Sequence, residues 1–304
     1  MSKKKMLVVG GTGFIGFHLC KFFLKKNIKI FSLSLSKPKK IRRLKNVTYL
    51  RADISKKKDL NILKKYNFNY IINCGGYVDH FNKVKTYNSH YKGLTNLVEI
   101  FRRKGISTFV QIGSGNEYGK VNSPHKEIFT CKPKSAYARS KLLATNFLLK
   151  EYKTNYFPSV ILRLYQVYGP YQDNNRFISF IINSCIKNNR FPCSEGTQLR
   201  DFLYVDDAVN AVSKCINNNK AYGKIINIGY GKTSQLRQII FKIRNYINKG
   251  HPNFGEIKMR KDENISIFPK IVEARKILKW KPLISFKKGL EKTINFYKRN
   301  NLVY

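Results

Sequence analysis

Acidic residues are scarce in this chain of 304 residues, which has 17 Asp and Glu against 59 Lys and Arg and a formal net charge of +42. A strongly basic balance is typical of proteins that bind nucleic acids or other polyanions. Here the basic residues lie in every segment, mixed with abundant Asn and Ile as in proteins from AT-rich genomes, and no RNA-binding motif accompanies them. We therefore expect attraction for anionic nucleotide ligands and no specific nucleic-acid site, although the charge alone keeps a basic nucleic-acid-binding protein as an alternative.

Long apolar runs and paired cysteine motifs are also missing. No stretch approaches the roughly 20 apolar residues that a membrane helix needs, and Met1 to Lys5 leads directly into a short apolar segment without a signal sequence. The six cysteines, at 20, 74, 131, 185, 193 and 215, have no CxxC spacing. We therefore expect a cytoplasmic protein with reduced thiols and without a membrane partner or a bound metal.

Apolar runs alternate with amphipathic segments over the first half of the chain. The apolar runs predict strands at 6–9, 28–33, 47–50, 69–73, 107–113 and 158–163. The amphipathic segments predict helices near 14–26, 56–65, 86–104 and 135–153, and later near 176–188 and 286–299. This alternation is typical of an α/β fold with a parallel sheet that is covered on both faces.

A glycine-rich turn joins the first predicted strand to the first predicted helix, in the sequence Gly10-Gly-Thr-Gly-Phe-Ile-Gly16. Without a Cβ, Gly10 can turn tightly, Gly13 lets a pyrophosphate approach the backbone, and Gly16 lets the helix pack close to the strand. The N–H groups of the first helical turn then favour phosphate binding. The order of strand, glycine turn and helix predicts a dinucleotide site, whereas the glycines alone would also suit a plain turn.

A second group of residues indicates acid–base chemistry. Tyr137 and Lys141 lie four residues apart in a predicted helix, so their side chains share one face. Ser114 follows a predicted strand, and ligands of open α/β sheets bind at the carboxyl ends of strands. A nearby ammonium lowers the pKa of a tyrosine from its usual value of about 10, and Lys141 would supply that charge. A Tyr and a Lys at this spacing also occur on ordinary helix surfaces, so the prediction rests on Ser114 and the glycine turn as well.

At these residues the chain resembles the extended short-chain dehydrogenase/reductases, the NAD-dependent epimerase/dehydratase family that acts on nucleotide sugars. The resemblance covers nearly the whole chain, through Gly10–Gly16, Asp53–Ile54, Asn73–Gly76, Ser114–Gly119, Tyr137–Lys141, Arg163–Pro170 and Gly196–Phe202. It implies a Rossmann-type doubly wound parallel sheet in residues 1–165. It also implies a smaller C-terminal lobe in residues 166–304 that binds the nucleotide sugar and returns some chain to the first domain, and a homodimer paired through the helices at 86–104 and 135–153.

The resemblance further implies which residues hold a nicotinamide cofactor. They are Gly10, Gly13, Phe14, Ile15, Gly16, Ser32, Asp53, Ile54, Cys74, Gly75, Tyr137 and Lys141. Many relatives have an acid at the end of the second strand, where it binds the adenosine ribose, and Ser32 stands in its place here. The cations that follow it suit a 2′-phosphate, so the sequence slightly favours NADP(H) over NAD(H); they are Lys37, Lys39, Lys40, Arg42 and Arg43. The alternatives are ordinary surface charge for these cations and a helix cap for Asp53.

The residues after Ser114 distinguish the reactions of this family. Relatives that catalyse 4,6-dehydration have an Asp-Glu pair directly after the serine or threonine, whereas this chain has Gly115 and Asn116, which are neither acids nor bases. Dehydration is therefore disfavoured, although Glu117 one position later keeps it open, and the decarboxylating branch, with a glutamate at Gly115, is disfavoured too. The sequence favours a 4-ketoreductase that moves a hydride to C4 of a nucleotide-diphosphate hexose, with a 4-epimerase that retains NAD as the alternative. Ser114, Tyr137 and Lys141 are the expected catalytic residues.

Substrate recognition is expected mainly in the second half of the chain. The resemblance assigns Arg200 to the nucleotide diphosphate, with an ion pair to a neighbouring acid as its alternative, and it implies substrate contacts for Tyr77, Asp79, Gln166 and Arg260. His90 replaces an asparagine of relatives and favours a structural role. A regulatory member of the fold that binds NADP without catalysis is a further alternative, which the complete set of Ser114, Tyr137 and Lys141 disfavours. The nucleotide base and the sugar stay open.

Overall fold

A computed structural model describes residues 3–77, 82–259 and 263–300. The strands are β1 Lys5–Val9, β2 Lys29–Ser34, β3 Val47–Arg51, β4 Tyr70–Asn73, β5 Thr108–Ser114, β6 Ser159–Leu164, β7 Gln166–Tyr168, β8 Arg190–Pro192, β9 Leu199–Tyr204, β10 Lys224–Ile228, β11 Thr233–Gln235, β12 His251–Asn253 and β13 Ser266–Ile267. The α-helices are α1 Phe14–Leu24, α2 Lys83–Tyr87, α3 Gly93–Phe101, α4 Ala136–Asn155, α5 Phe177–Ile186, α6 Val205–Ser213, α7 Leu236–Ile247, α8 Val272–Leu278 and α9 Phe286–Asn300.

Seven parallel strands form the main sheet, in the order β10-β6-β5-β4-β1-β2-β3. Successive side chains of β1 enter two different hydrophobic clusters, with Met6 and Val8 in one and Leu7 and Val9 in the other. Both faces of the sheet are therefore buried, and this explains why its strands are continuous apolar runs. The predicted Rossmann-type doubly wound parallel sheet is confirmed.

The six strands predicted in the first half are present, with ends within two residues of the expected ones. The predicted helix at 56–65 is wrong, because the structure has only a short 3₁₀ helix, Asp59–Leu63, in that segment. A local turn accounts for the difference: the Asp53 carboxylate accepts hydrogen bonds from the backbone N–H of Ser55, at 2.9 Å, and from its hydroxyl, at 2.7 Å. Such turns compete with helix formation in the segment that follows.

The second half of the chain contributes to both the main sheet and a smaller lobe. Strand β10 pairs with β6 at the edge of the main sheet. Strands β7, β11 and β13 each pair with β9 in a small second sheet, and β8 pairs with β12. One hydrophobic cluster runs from β1 and β6 into α5 and α7, so the lobe is anchored on the main sheet. The division at residue 165 stays a prediction.

Two further observations concern membrane-spanning helices and the state of the cysteines. Within the described ranges, no helix combines the length and the apolar character that crossing a membrane requires. All six cysteines are free, and Cys20, Cys185, Cys193 and Cys215 are buried.

Candidate active site

The glycine turn after β1 is packed too tightly for side chains at several of its glycines, including Gly10 and Gly16. Gly10 has a φ of +77°, and a Cβ there would lie 2.8 Å from the Cα of Gly75. A Cβ on Gly16 would lie 2.2 Å from the carbonyl oxygen of Gly10. Glycine at these positions therefore lets α1 approach β1 and lets β1 approach the end of β4.

The same turn leaves room for a ligand at Gly13. A Cβ on this residue would meet one atom of the described chain within 4 Å, the carbonyl oxygen of Gly10 at 3.3 Å. Gly13 is the N-cap of α1, and no side chain caps this end of the helix. The N–H groups at Phe14 and Ile15, in the first turn of α1, suit a pyrophosphate. The residues of this turn thus fit a dinucleotide.

Strand β2 ends at Ser34, one residue after its predicted end and two residues after Ser32. Ser32 is fully buried inside the strand, and a Cβ on Gly11 would lie 2.4 Å from the Ser32 Oγ. Ser34 is the last residue of β2, and its hydroxyl accepts a hydrogen bond from the Thr12 N–H of the glycine turn at 3.3 Å. This corrects the placement of Ser32 at the ribose position: side chains alternate along a strand, and Ser34 is the serine at its open end.

The remaining predicted cofactor residues lie at the ends of the neighbouring strands. Asp53 follows β3, and its carboxylate accepts hydrogen bonds from Ser55 in a local turn and does not cap a helix. Ile54 is buried, and its carbonyl oxygen accepts a hydrogen bond from Asn96 at 2.9 Å. The Cys74 thiol donates to the Val9 carbonyl oxygen at 2.9 Å, and burial raises its pKa to about 12. Cys74 is thus a structural thiol beside the glycine turn.

Ser114, Tyr137 and Lys141 come together at the carboxyl edge of the main sheet. Ser114 is the last residue of β5, and Tyr137 and Lys141 project from the first turns of α4. The Ser114 side chain is close enough to the Tyr137 hydroxyl to act on its pKa. The Lys141 Nζ donates to the Ile112 carbonyl oxygen at 2.7 Å and lies 6.0 Å from the centre of the Tyr137 ring.

The pKa of Tyr137 differs from the expectation. Burial raises the pKa of Tyr137, and the neighbouring Ser114 side chain opposes this rise. The expected lowering by Lys141 is absent among the described interactions, because the ammonium is turned towards Ile112 and is itself buried. Burial lowers the pKa of Lys141 to about 8, against the opposing charge of Glu117. Both groups therefore favour their neutral forms more than they would in water.

His90 is a neighbour of Tyr137 that the sequence placed only in a structural role. Its ring lies edge-on to the Tyr137 ring, with centroids 5.1 Å apart, and its Nε2 lies 3.1 Å from the Tyr77 carbonyl oxygen. Residues Asn88–Lys92 form a turn of π-helix that joins α2 to α3, where the sequence predicted one continuous helix. Such turns are frequent at functional sites, and this one is the local signal that accompanies the placement of His90.

Glu117 is part of a buried ion pair behind the site. Its carboxylate accepts hydrogen bonds, each at 2.8 Å, from the Ser114 N–H, the Thr145 hydroxyl and the Arg163 Nε. The side chains of Glu117 and Arg163 are 0% and 2% exposed. All the contacts of this carboxylate are made inside the protein, so it is a structural group that holds the backbone of Ser114.

A cleft of about 580 Å³ opens beside these residues, between the main sheet and the smaller lobe. Its lining includes Gly115 and Asn116 next to Ser114, and also Gln166 and Arg200. Arg200 is ion-paired with Glu263 at 2.6 Å, which corresponds to the alternative expected for it, yet it lies on the cleft wall. Asp79 and Arg260 were also predicted to bind substrate, and they lie outside the described residues.

The cations that follow β2 are partly engaged by the loop after β7. The Lys39 Nζ donates a hydrogen bond to the Asp173 Oδ1 at 3.0 Å, and the Arg42 Nη2 forms an ion pair with the same oxygen at 3.0 Å. The Arg42 Nε donates to the Tyr171 carbonyl oxygen at 2.9 Å. Two of the five cations proposed for a 2′-phosphate therefore already have an anionic partner.

Comparisons with known proteins agree with this architecture. Residues 6–229 match the model of the NAD dependent epimerase/dehydratase family. The chain belongs to this family. A putative UDP-glucose 4-epimerase of Methanocaldococcus jannaschii is 31% identical over 97% of this chain and 99% of its own length.

Solved structures of two kinds of family enzyme share the fold. The UDP-glucose 4-epimerase of Thermotoga maritima, solved with UDP-glucose, has a TM-score of 0.92 and 20% identity and covers 98% of this chain and 99% of its own. The dTDP-glucose 4,6-dehydratase of Bacillus anthracis, solved with NAD, has a TM-score of 0.89 and 22% identity over 99% and 98% of the two chains. The family includes both epimerases and dehydratases, so the reaction has to be inferred from the residues of the site.

Proposed function

We propose that this protein oxidises and reduces a single carbon, C4, of a nucleotide-diphosphate hexose. The observation that carries the proposal is the placement of Ser114, Tyr137 and Lys141 at the carboxyl edge of the sheet, between the glycine turn and the cleft. A dinucleotide on the glycine turn and a sugar in the cleft would both reach this edge.

Each of the three residues has a defined part in that reaction. A nicotinamide ring, when bound, supplies the hydride acceptor and donor. Tyr137 takes the proton of the C4 hydroxyl during oxidation and returns it during reduction, beside the Ser114 side chain. Ser114 would also donate a hydrogen bond to the sugar oxygen, and Lys141 would hold the ribose of a bound dinucleotide. The raised pKa of Tyr137 favours the protonated form, which is the proton donor in the reductive direction.

Elimination of water from the sugar has little support at this site. Dehydration needs an acid and a base beside C5 and C6, and Gly115 and Asn116 occupy those positions. Glu117, the nearest carboxylate in sequence, has its oxygens engaged by Ser114, Thr145 and Arg163. These residues argue against dehydration and support redox chemistry at C4.

We favour the 4-epimerase form of this reaction, in which the dinucleotide is retained as NAD. The similarity to a putative UDP-glucose 4-epimerase supports it, and so does the engagement of Lys39 and Arg42 by Asp173. The 4-ketoreductase predicted from the sequence is the second candidate. The absence of an acid at the last residue of β2, Ser34, supports it, because NAD enzymes usually have an acid there.

The cleft wall suits a nucleotide diphosphate. Arg200 presents a guanidinium that is 7% exposed, and a diphosphate would have to compete with or join Glu263 on it. Lys120, Lys134 and Lys258 also line the cleft, so its charge favours an anionic substrate. Gln166 is exposed at the same wall and is a candidate contact of the phosphates or the sugar.

We also propose a homodimer that buries the outer faces of α2 and α4. Val84, Tyr87 and Leu143 on these helices have exposed fractions of 69%, 42% and 42%. Apolar side chains clustered on adjacent helices are typical of a protein–protein contact. Substitution of Val84 and Leu143 by Lys should convert a dimer into a monomer in light scattering, whereas a wild-type monomer would contradict the proposal.

One experiment separates the two reactions. The purified protein is denatured, the released dinucleotide is identified by mass, and the native protein is titrated with NADH and NADPH by fluorescence. Copurified NAD together with interconversion of UDP-glucose and UDP-galactose, or of another pair of C4 epimers, would support the epimerase. An empty site that prefers NADPH and reduces a 4-keto nucleotide sugar would support the ketoreductase, and a protein that binds neither dinucleotide would contradict both.

A further inference from the structure

The loop after β7 brings the carboxylate of Asp173 to the segment that follows β2, although the two segments are far apart in the sequence. Asp173 lies 134 residues from Lys39 along the chain, yet the two side chains are 3.0 Å apart. Family enzymes that use NAD usually carry their acid at the end of β2 itself, and this chain has Ser34 there.

The Asp173 backbone is held by hydrogen bonds in the segment that leads into α5. Its carbonyl oxygen accepts hydrogen bonds from the Ser179 hydroxyl at 2.7 Å and from the Arg176 N–H at 3.1 Å. The adjacent Tyr171 ring packs between Phe17 of α1 and Phe296 of α9, at centroid distances of 4.6 and 4.4 Å. The carboxylate is therefore held in place by the fold and does not depend on a cofactor for its position.

The cations on the other side of the contact differ in burial. The Arg42 side chain is 6% exposed and the Lys39 side chain is 65% exposed. Arg42 is committed to Asp173 and to the Tyr171 carbonyl oxygen, because a buried guanidinium that loses its partners pays a desolvation cost. Lys39 is free to move, although Asp173 attracts it.

We propose that Asp173 determines the choice between NAD and NADP by forming ion pairs with Lys39 and Arg42. In this way Asp173 would favour NAD, as the acid at the end of β2 does in relatives that have one. A 2′-phosphate near the end of β2 would have to displace this carboxylate from its cations and would be repelled by it. A ribose 2′-hydroxyl carries no charge and avoids both costs. The inference rests on the proposed use of a dinucleotide at the glycine turn.

The test compares NADH and NADPH binding to the full-length wild type and to Asp173→Asn by fluorescence titration at one ionic strength. The ratio of the NADPH to the NADH dissociation constant should fall by about tenfold or more in the variant, the size of one hydrogen bond to a charged group. Glu99→Gln is the matched control, because it also removes one carboxylate from an ion pair, with Lys57, and should leave the ratio unchanged.

A second variant tests whether the gain in NADPH affinity comes from Lys39 or from a general loosening of the loop. Adding Lys39→Gln to Asp173→Asn should remove most of the gain in NADPH affinity, because it removes the cation that would contact the 2′-phosphate. Lys39 is exposed, so its replacement does not disturb packing. An unchanged ratio in Asp173→Asn, or an equal change for both dinucleotides, would overturn the inference while leaving the proposed function intact. A wild-type protein that binds neither dinucleotide would overturn the proposed function, and the inference with it.

Discussion

Replacing Glu117 by Gln removes the charge of a carboxylate that is 0% exposed and leaves the Arg163 guanidinium, 2% exposed, without its anion. Breaking a buried ion pair from one side costs about 3–5 kcal/mol of unfolding free energy. The upper part of that range applies here, because the carboxylate also accepts the Ser114 N–H and the Thr145 hydroxyl, and an amide can accept with only one oxygen. At roughly 2 °C per kcal/mol for a chain of this size, the melting temperature should fall by about 8–10 °C.

Glu99→Gln provides the control for this prediction. Its ion pair with Lys57 has a similar length, 2.7 Å, but the two side chains are 59% and 66% exposed. Exposed pairs contribute about 0–1 kcal/mol, so this variant should melt within about 2 °C of wild type. Differential scanning calorimetry of the three proteins gives the comparison. Equal melting temperatures for Glu117→Gln and Glu99→Gln would refute the reasoning that burial and hydrogen bonding determine the cost.

The other predictions concern the site itself. Tyr137→Phe should reduce turnover by about 100-fold or more by removing the proton donor, with dinucleotide affinity unchanged in titrations; normal turnover would exclude Tyr137 as the acid–base group. Gly16→Ala should abolish dinucleotide binding, because its Cβ would lie 2.2 Å from the Gly10 carbonyl oxygen, and retained affinity would argue against the glycine turn as the site. The pKa of Lys141 is about 8 in the fold and about 10.4 in an unfolded chain, so the unfolded state binds the extra proton between these values. Denaturant unfolding should therefore show wild type gaining stability relative to Lys141→Met as the pH rises from 8 to 10, and a constant difference would contradict the buried ammonium.

Local patterns in the sequence were enough to predict six of the seven strands of the main sheet and to select the three catalytic candidates. The glycine turn, the strand ending at Ser114 and the four-residue spacing of Tyr137 and Lys141 all lie within short stretches, whose periodicity fixes which side chains share a face. Ser32 was misplaced because an apolar run does not show where a strand ends. Ser32 and Ser34 point to the same face of the sheet, but Ser32 lies inside strand β2 and Ser34 lies at its end.

The ion pairs of the site connect distant parts of the chain. Glu117 and Arg163 are 46 residues apart, and Arg200 and Glu263 are 63 apart. In a chain with 59 basic and 17 acidic residues, composition does not reveal which cations receive one of the few anions. Those partners depend on how the loops of the second half pack on the sheet, and short-range spacing carries no information about that packing.

The central claim is that chemistry occurs at C4 of a nucleotide sugar without loss of water. The most direct measurement incubates the protein with UDP-glucose deuterated at C4, in the presence of NAD and NADP, and locates the label by NMR and mass spectrometry. The account predicts that the label stays at C4 in an epimeric pair of sugars or appears on a reduced dinucleotide. A dehydrated product with the label at C6 would contradict it.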